Sequence, residues 1–460
     1  MKFIMKLCNK KIGVWGYGVV GKSATQFLHS AGATVDVLDK RELTSEEKNY
    51  LQKLQISWQQ QNDIENWLEN HDAIFASPGI DLRQYTKFQH TFITELDIFS
   101  KHFCKPILCV TGSTGKTSTT TILSELCKQK YPQLWTGGNI GTCMLDALCE
   151  KETDAALLEL SSFQLENCTS FAPDVALWTN FYPNHLDRHG TLDAYFDAKY
   201  HAIEHQNKNQ HAIVPIALFD KINDRNPHST IHYTAQSKPE AATLRKINGC
   251  VFYYAENAIM VMQNGIERKL LPLNEIPAIS FLENWIGICG LLHILNIPHS
   301  KITSIEEKIK LPEHRLEKCA VVNGVDFYND SKATTSEATI AAVQQLKRYN
   351  RPIRIFIGGL GKGVNRTPLI NTIKNLVATI YCFGNEHEQL AKKCAAEGAH
   401  FFHAPKLAEA YTLCTQHMQT GDIILFSPAG ASFDEFKNYE ERGNYFKNIV
   451  NDFTNDNRIR

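Results

Sequence analysis

The sequence predicts an α/β fold of three domains built on mainly parallel sheets, and three observations carry that expectation. Short apolar runs rich in Val, Ile and Phe alternate with longer segments of helical period almost from end to end. Many of those runs lead into glycine-containing or polar turns. At 460 residues the chain also exceeds what one ordinary hydrophobic core holds, given roughly 100 to 200 residues per domain. Prolines ahead of new strand sets, at Lys105-Pro106 and Leu311-Pro312, set the expected boundaries at 1–104, 105–310 and 311–460. No fixed-period repeat or low-complexity tract appears, which removes solenoid folds.

The first strand set is expected at residues 11 to 16, 33 to 39 and 72 to 76. Between the first two lies Gly16-Tyr-Gly18-Val19-Val20-Gly21, with Asp39 closing the second. Glycines let the backbone approach a pyrophosphate at a helix N-terminus, and an acid about 20 residues on can meet a ribose hydroxyl. An NAD and a UDP-sugar both satisfy this physics, and a plain strand-to-helix packing turn is the bland alternative. The ATP loop found farther on favours the UDP-sugar.

The second set is expected at 106 to 110, 155 to 160 and 174 to 179, with short strands and turns over 235 to 275. Val110-Thr-Gly112-Ser113-Thr114-Gly115-Lys116-Thr117-Ser118 follows its first strand and opens a helix. Curled backbone amides can cradle phosphates there, Lys116 can neutralise them, and the Thr117 hydroxyl can ligate Mg²⁺. The loop is a GxxGKT form, shorter than the full eight-residue pattern. Glu159 ends a strand expected beside the loop strand, where a Mg²⁺ ligand belongs. His185 follows another strand end among polar groups, and on spacing alone packing and ligation stand level for it. Lys199 lies on a helix where Asp193 and Asp197 cannot share its face. Lys116 and Lys199 are both expected to face solvent.

The third set is expected at 325 to 328, 353 to 357, 379 to 383 and 422 to 426. Asn329-Asp330-Ser-Lys332-Ala-Thr334, Gly358-Gly-Leu-Gly361-Lys362-Gly363 and Ser427-Pro-Ala-Gly-Ala-Ser432-Phe433 each follow a strand. Any one of them reads as a turn or cap, but three together point to a ligand rim at the carboxyl ends of an open sheet.

Bulk composition excludes several classes. Forty-eight basic residues against forty-nine acidic leave no global field for sequence-independent binding to nucleic acid or an anionic membrane. Lysines interrupt the opening apolar run, unlike a signal peptide, and no stretch reaches the roughly 18 to 20 apolar residues of a membrane span. Thirteen cysteines without a CxxC pair read as reduced, buried thiols, so a cytoplasmic protein is expected.

Together the segments SPGI at 77 to 80, TGSTGKTS, GGNIG at 137 to 141, LELSSFQLE at 158 to 166, NHLDRHG, His314-Arg315, NDSKAT, GGLGKG and SPAGASFDEFKNYEERG at 427 to 443 resemble the Mur ligases, in order and across all three expected domains. The last of these and NDSKAT resemble the branch that adds D-glutamate to UDP-N-acetylmuramoyl-L-alanine. The resemblance implies carboxylate activation by ATP to an acyl phosphate and attack by the amine, in a monomer that also uses two Mg²⁺ ions. It implies Thr117 and Glu159 for one ion, and His185 with a carbamylated Lys199 for the second. It places Gly16, Gly18, Val19, Val20, Asp39, Lys40, Arg41, Gly79 and Asn139 on the UDP-sugar. Gly112 to Ser118, Asn284, Arg315, Asp330 and Lys332 fall on ATP, and Thr334, Lys362, Ser432, Phe433 and Tyr439 on D-glutamate. Two departures stand out: Glu283-Asn284-Trp-Ile-Gly287 replaces a His-Asn-x-x-Asn run expected near adenine, and Leu360 stands where an aspartate is common. Rival readings are an L-glutamate or folate ligase of the same mechanism, an NAD-dependent oxidoreductase or NAD-binding module, and a non-catalytic relative.

Overall fold

The structure, a computed structural model, describes residues 7 to 458 apart from 8, 151, 278, 306–308, 310–312, 348 and 362–364. Two compact units form, Met1–Leu273 with Glu283–Ile302, and Asn274–Leu282 with Thr303–Arg460.

The first unit holds two sheets. Strands β1 (Lys11–Trp15), β2 (Thr34–Asp39), β3 (Ser57–Gln60), β4 (Ala73–Ala76) and β5 (Phe92–Ile93) make a parallel sheet in the order β3-β2-β1-β4-β5. Gly13 in β1 has a packing reason: a Cβ there would collide with the Trp67 ring. The second sheet contains β6 (Ile107–Thr111), β7 (Leu134–Gly138), β8 (Ala155–Glu159), β9 (Val175–Trp178), β10 (His211–Pro215), β11 (Thr230–Ala235), β12 (Val251–Ala255), β13 (Ala258–Gln263) and β14 (Ile266–Pro272). Its order is β14-β13-β12-β11-β10-β9-β6-β8-β7, parallel except for the antiparallel ribbon β12-β13-β14. Every residue of β6 and β8 is buried, as expected of a parallel sheet covered on both faces. Register pairs Val110 with Glu159, so the carboxylate sits level with the start of the glycine-rich loop.

The second unit carries β15 (Glu317–Val322), β16 (Val325–Asn329), β17 (Ile353–Gly358), β18 (Thr379–Phe383), β19 (Phe401–His403) and β20 (Ile423–Phe426), ordered β15-β16-β20-β17-β18-β19. Only the β15–β16 pair is antiparallel.

The strands expected from sequence appear within a residue of their anticipated ends, and 235 to 275 contains the β12–β14 ribbon. Missed strands are mostly edge or marginal ones. β3 reads Ser-Trp-Gln-Gln with no buried residue, β5 has two residues, β7 ends in two glycines, and β15 and β19 are half-exposed edges. Their sequences lack the continuous apolar run that marks a central strand. β10 and β11 are different: His211, His232, Thr230 and Thr234 interrupt their apolar pattern, although Ala212, Ile213, Val214 and Tyr233 are buried.

Candidate functional site

In the first sheet, the expected pyrophosphate loop has its predicted backbone. Gly16 takes φ +92°, and a Cβ at Gly21 would strike the Gly16 carbonyl. Gly18 caps the helix Val19–Ser30 without a side-chain hydrogen bond, which leaves first-turn amides for a ligand. Asp39 accepts from the backbone N–H of Tyr17 at 2.5 Å and of Arg41 at 2.9 Å, so its carboxylate shapes the loop. Arg41 forms a two-pronged pair with Glu47 at 2.7 and 2.8 Å and also donates to the Tyr17 carbonyl at 3.1 Å. Val19, Lys40 and Gly79 are exposed and Val20 is half-buried. Ser77, beside Gly79 in sequence, donates to the Gly16 carbonyl at 2.8 Å. Arg188 links this region to the second sheet, bonding the Ile80 carbonyl at 2.8 Å and Glu166 at 2.8 and 3.1 Å.

The second sheet builds the phosphate loop. Gly112 and Gly115 take φ +143° and +78°, and Gly115 caps the helix Lys116–Leu126. Lys116 Nζ donates to the carbonyls of Gly112 at 3.0 Å and Ser113 at 3.3 Å. Thr117 and Ser118 follow in the first turn of the helix. The end of β9 braces the loop. Asn180 Oδ1 accepts from the Thr114 amide at 2.9 Å, Thr179 Oγ1 donates to the Thr114 carbonyl at 2.8 Å, and Ser113 Oγ donates to the Tyr182 carbonyl at 2.9 Å. Sequence reasoning missed these braces, although a polar pair at the carboxyl end of a strand neighbouring the loop strand was a usable signal.

Around that loop lie the anticipated metal-binding groups. Glu159 is 1% exposed; its Oε1 accepts from the Asn139 side chain at 2.8 Å, and its Oε2 is buried with no hydrogen-bond partner among the described residues. An orphaned carboxylate oxygen beside a phosphate loop fits a divalent cation. Asn139, anticipated on the UDP-sugar, therefore also holds Glu159. Among the described residues no three His, Cys, Asp or Glu side chains group as a metal cage, so phosphate oxygens and Thr117 have to complete any such site.

Lys199 corrects the expectation of a solvent-facing amine: it is 1% exposed. The helix Leu192–Glu204, capped by Thr191, turns Tyr195 and Lys199 together under the loop, because residues four apart share a face. Tyr195 Oη lies 3.2 Å from Ser113 Oγ, and Lys199 Nζ donates to the Gly112 carbonyl at 2.9 Å and Thr111 Oγ1 at 3.3 Å. Asp193 and Asp197 point elsewhere, pairing with Lys221 and Arg225. Burial, with Lys116 adding repulsion, pushes the Lys199 ammonium well below its ordinary pKa, favouring a neutral amine. His185 is exposed, has φ +53°, and packs its ring 5.0 Å from Phe163 and 6.3 Å from Tyr195. Lys199 Nζ stands 4.9 Å from the same Tyr195 ring, so one aromatic spacer separates the two anticipated ligands. The helix Leu282–Ile294 starts against the loop: a Cβ on Gly115 would meet the carboxamide of Asn284.

In the second unit, β16, β20 and β17 are neighbours, so their three loops share one rim. The loop after β17 pairs with the one after β20 through Leu360 and Ala431 backbone bonds of 2.8 and 2.9 Å. Leu360 thus acts through its backbone there. Asp330, 6% exposed, accepts from Ser427 Oγ at 2.7 Å and from the Leu316 amide at 3.0 Å, and burial pushes its carboxyl up to about 7. Arg315 adjoins it electrostatically. Lys332 Nζ sits 5.0 Å from the Tyr439 ring. Ser432 is buried, whereas Thr334 and Phe433 are exposed; Lys362 lies outside the described residues. A group that sequence reasoning missed organises this rim. Arg442 is fully buried and donates to the Ser331 carbonyl at 2.7 Å, Ser331 Oγ at 3.1 Å and the Gly430 carbonyl at 2.9 Å, tying two loops together.

Comparison with known proteins extends these observations over the whole chain. Three family models match: a Mur ligase MurD-like N-terminal domain over 10–94, a Mur ligase middle domain over 110–261, and a Mur ligase glutamate ligase domain over 314–430. A UDP-N-acetylmuramoylalanine–D-glutamate ligase of Koribacter versatilis is 31% identical, covering 97% of this chain and 98% of that protein. One of the same name from Desulfotalea psychrophila is 32% identical, covering 95% and 94%. Solved structures share the fold: MurF ligase of Thermotoga maritima in complex with ADP has a TM-score of 0.52 at 17% identity, covering 92% of each chain. A pseudomurein peptide ligase type C of Methanothermus fervidus has a TM-score of 0.51 at 16% identity, covering 96% of this chain and 100% of that one. With the phosphate loop, its braces and the glycine-rich loop after β1 all falling inside matched segments, the chain belongs to the Mur ligase family.

Proposed function

We propose that this protein is an ATP-dependent ligase of peptidoglycan precursor synthesis, joining the amine of D-glutamate to the carboxyl group of UDP-N-acetylmuramoyl-L-alanine. The likeness to ligases of that name over nearly their whole length supports the reaction. The observation that carries the chemistry is Glu159, whose unpartnered carboxylate oxygen lies at the end of the strand beside the phosphate loop.

The reaction brings several anionic groups together, so charge neutralisation and positioning supply most of the acceleration. The amides of Gly112 to Lys116 and the Lys116 ammonium hold the triphosphate. A carboxylate oxygen of the muramoyl-alanine attacks the γ-phosphorus, and ADP leaves. The glutamate nitrogen then attacks the acyl carbon, loses a proton, and phosphate departs. Thr117 and Glu159 would hold one Mg²⁺, and His185 with Lys199 a second, where the ions neutralise phosphate charge. A free ammonium at Lys199 would repel a cation. Burial disfavours that ammonium, and the amine nitrogen adds to CO₂, forming an N–C bond and releasing one proton, to leave an anionic carbamate. The first-turn amides of Val19–Ser30, with the loop that Asp39 shapes, receive the UDP pyrophosphate. Arg315, Asp330 and Lys332 serve ATP, while Thr334, Lys362, Ser432, Phe433 and Tyr439 serve D-glutamate. Among the described residues no helix is long and apolar enough to cross a membrane. Nucleotide substrates of this kind support a cytoplasmic location.

Phosphate release tests the reading. It should require ATP, the muramoyl-alanine nucleotide and D-glutamate together. Equal turnover with L-glutamate would overturn the stereospecific assignment, and no ATP consumption with all components present would overturn the ligase assignment.

A further inference from the structure

A cavity of about 290 Å³ opens beside the phosphate loop, lined among others by Asn180, Tyr182, Ile216, Ala235, Glu283 and Ile286. Asn180 belongs to both places, since its carboxamide oxygen accepts from the Thr114 amide at 2.9 Å. A nucleotide whose phosphates lie on the loop extends its base only a sugar's length away, and this hollow begins at the loop's own brace. Its walls are mostly apolar, drawn from Pro215, Ile216, Ala217, Ala235 and Ile286, with Phe181 adding an aromatic ring. Apolar walls with a few placed polar groups are what a flat heterocycle needs.

One ionisable group stands in that wall. Glu283 is half-buried at the start of the helix Leu282–Ile294 and accepts from Tyr182 Oη at 3.2 and 3.3 Å. Asn180 and Gln236 also hydrogen-bond to it, which fixes the carboxyl group in the cavity wall. Two carboxyl oxygens offer about four lone-pair positions, so these contacts leave capacity for one more donor. Four residues on, Gly287 has no side chain to offer; a Cβ there would press on Leu177.

We propose that Glu283 is the base-reading residue of this ligase and that its carboxyl group accepts a hydrogen bond from the exocyclic 6-amino group of adenine. The proposal rests on the nucleotide site described above. A carboxyl oxygen held in the wall by its other donors is a fixed acceptor for such an amino group.

The test compares ATP with purine riboside triphosphate, which carries hydrogen in place of the 6-amino group. The unaltered protein should show a KM for the analogue at least about tenfold above that for ATP, the size of a hydrogen bond involving an ionisable group. Glu283→Ala should bring the two KM values within about threefold of each other, and Glu283→Leu, which refills the space, should do the same. Glu283→Gln, keeping a carbonyl acceptor and a donor, should retain the preference. Binding of ADP against purine riboside diphosphate, followed by calorimetry, repeats the comparison without turnover. A chain that binds ADP selectively through Glu283 yet forms no amide would sink the ligase reading and leave this one standing. An unchanged preference in Glu283→Ala and Glu283→Leu, or no preference in the unaltered protein, would overturn it.

Discussion

Lys199 and Glu95 show how burial tunes single residues in this chain. The buried amine under the phosphate loop is assigned to a carbamate, so Lys199→Ala should lower kcat by roughly a hundredfold or more. A short carboxylate such as acetate, entering the vacated space, should restore part of it; full activity without additive would refute the assignment. Glu95 is 3% exposed, takes the Met144 amide at 2.8 Å on one oxygen and leaves the other without a hydrogen-bond partner among the described residues. Burial pushes its carboxyl from 4.5 up to about 7. The folded state therefore holds a proton that the unfolded chain releases first. Stability from this group is complete below about pH 4.5 and is lost as pH rises through 7, a change of roughly 3 kcal/mol. In Glu95→Gln, the decline of Tm between pH 5 and 8, read by scanning calorimetry, should be visibly flatter; an unchanged slope would refute it. At this scale the motifs named Lys116, Thr117 and Glu159 from their place after strands, whereas a role for Lys199 came only with the family resemblance. They could not name Asn180 or Arg442, whose roles depend on strand neighbours far away in sequence.

Among elements, the helix Lys116–Leu126 and the helix Leu282–Ile294 meet at Gly115 and Asn284. Gly115 needs both its positive φ and its missing Cβ. Gly115→Ala should cost roughly 1–2 kcal/mol of stability from backbone strain alone and should also lose ADP affinity through collision with Asn284. Gly265→Ala is the control, because Gly265 has φ +76° with open space around it. It should show the backbone cost in urea denaturation and keep ADP affinity. Central strands were legible because β6 and β8 are wholly buried and read as apolar runs, while β3 and β19 were hidden by their exposed, polar edges.

Across the whole molecule, three sheets present glycine-rich or polar loops at the carboxyl ends of their strands, as expected of open α/β sheets that bind ligands there. The sequence showed this plan because each loop follows its strand directly. The division into two units was less legible: residues 274–282 group with the second unit although 283–302 belong to the first, and no composition change marks that exchange. The central claim is that the phosphate loop activates a carboxylate by phosphorylating it. Muramoyl-alanine nucleotide labelled with ¹⁸O in its carboxyl group tests this most directly. The account predicts one ¹⁸O atom in each phosphate released, transferred when the amine displaces it; phosphate carrying no label would contradict an acyl-phosphate step.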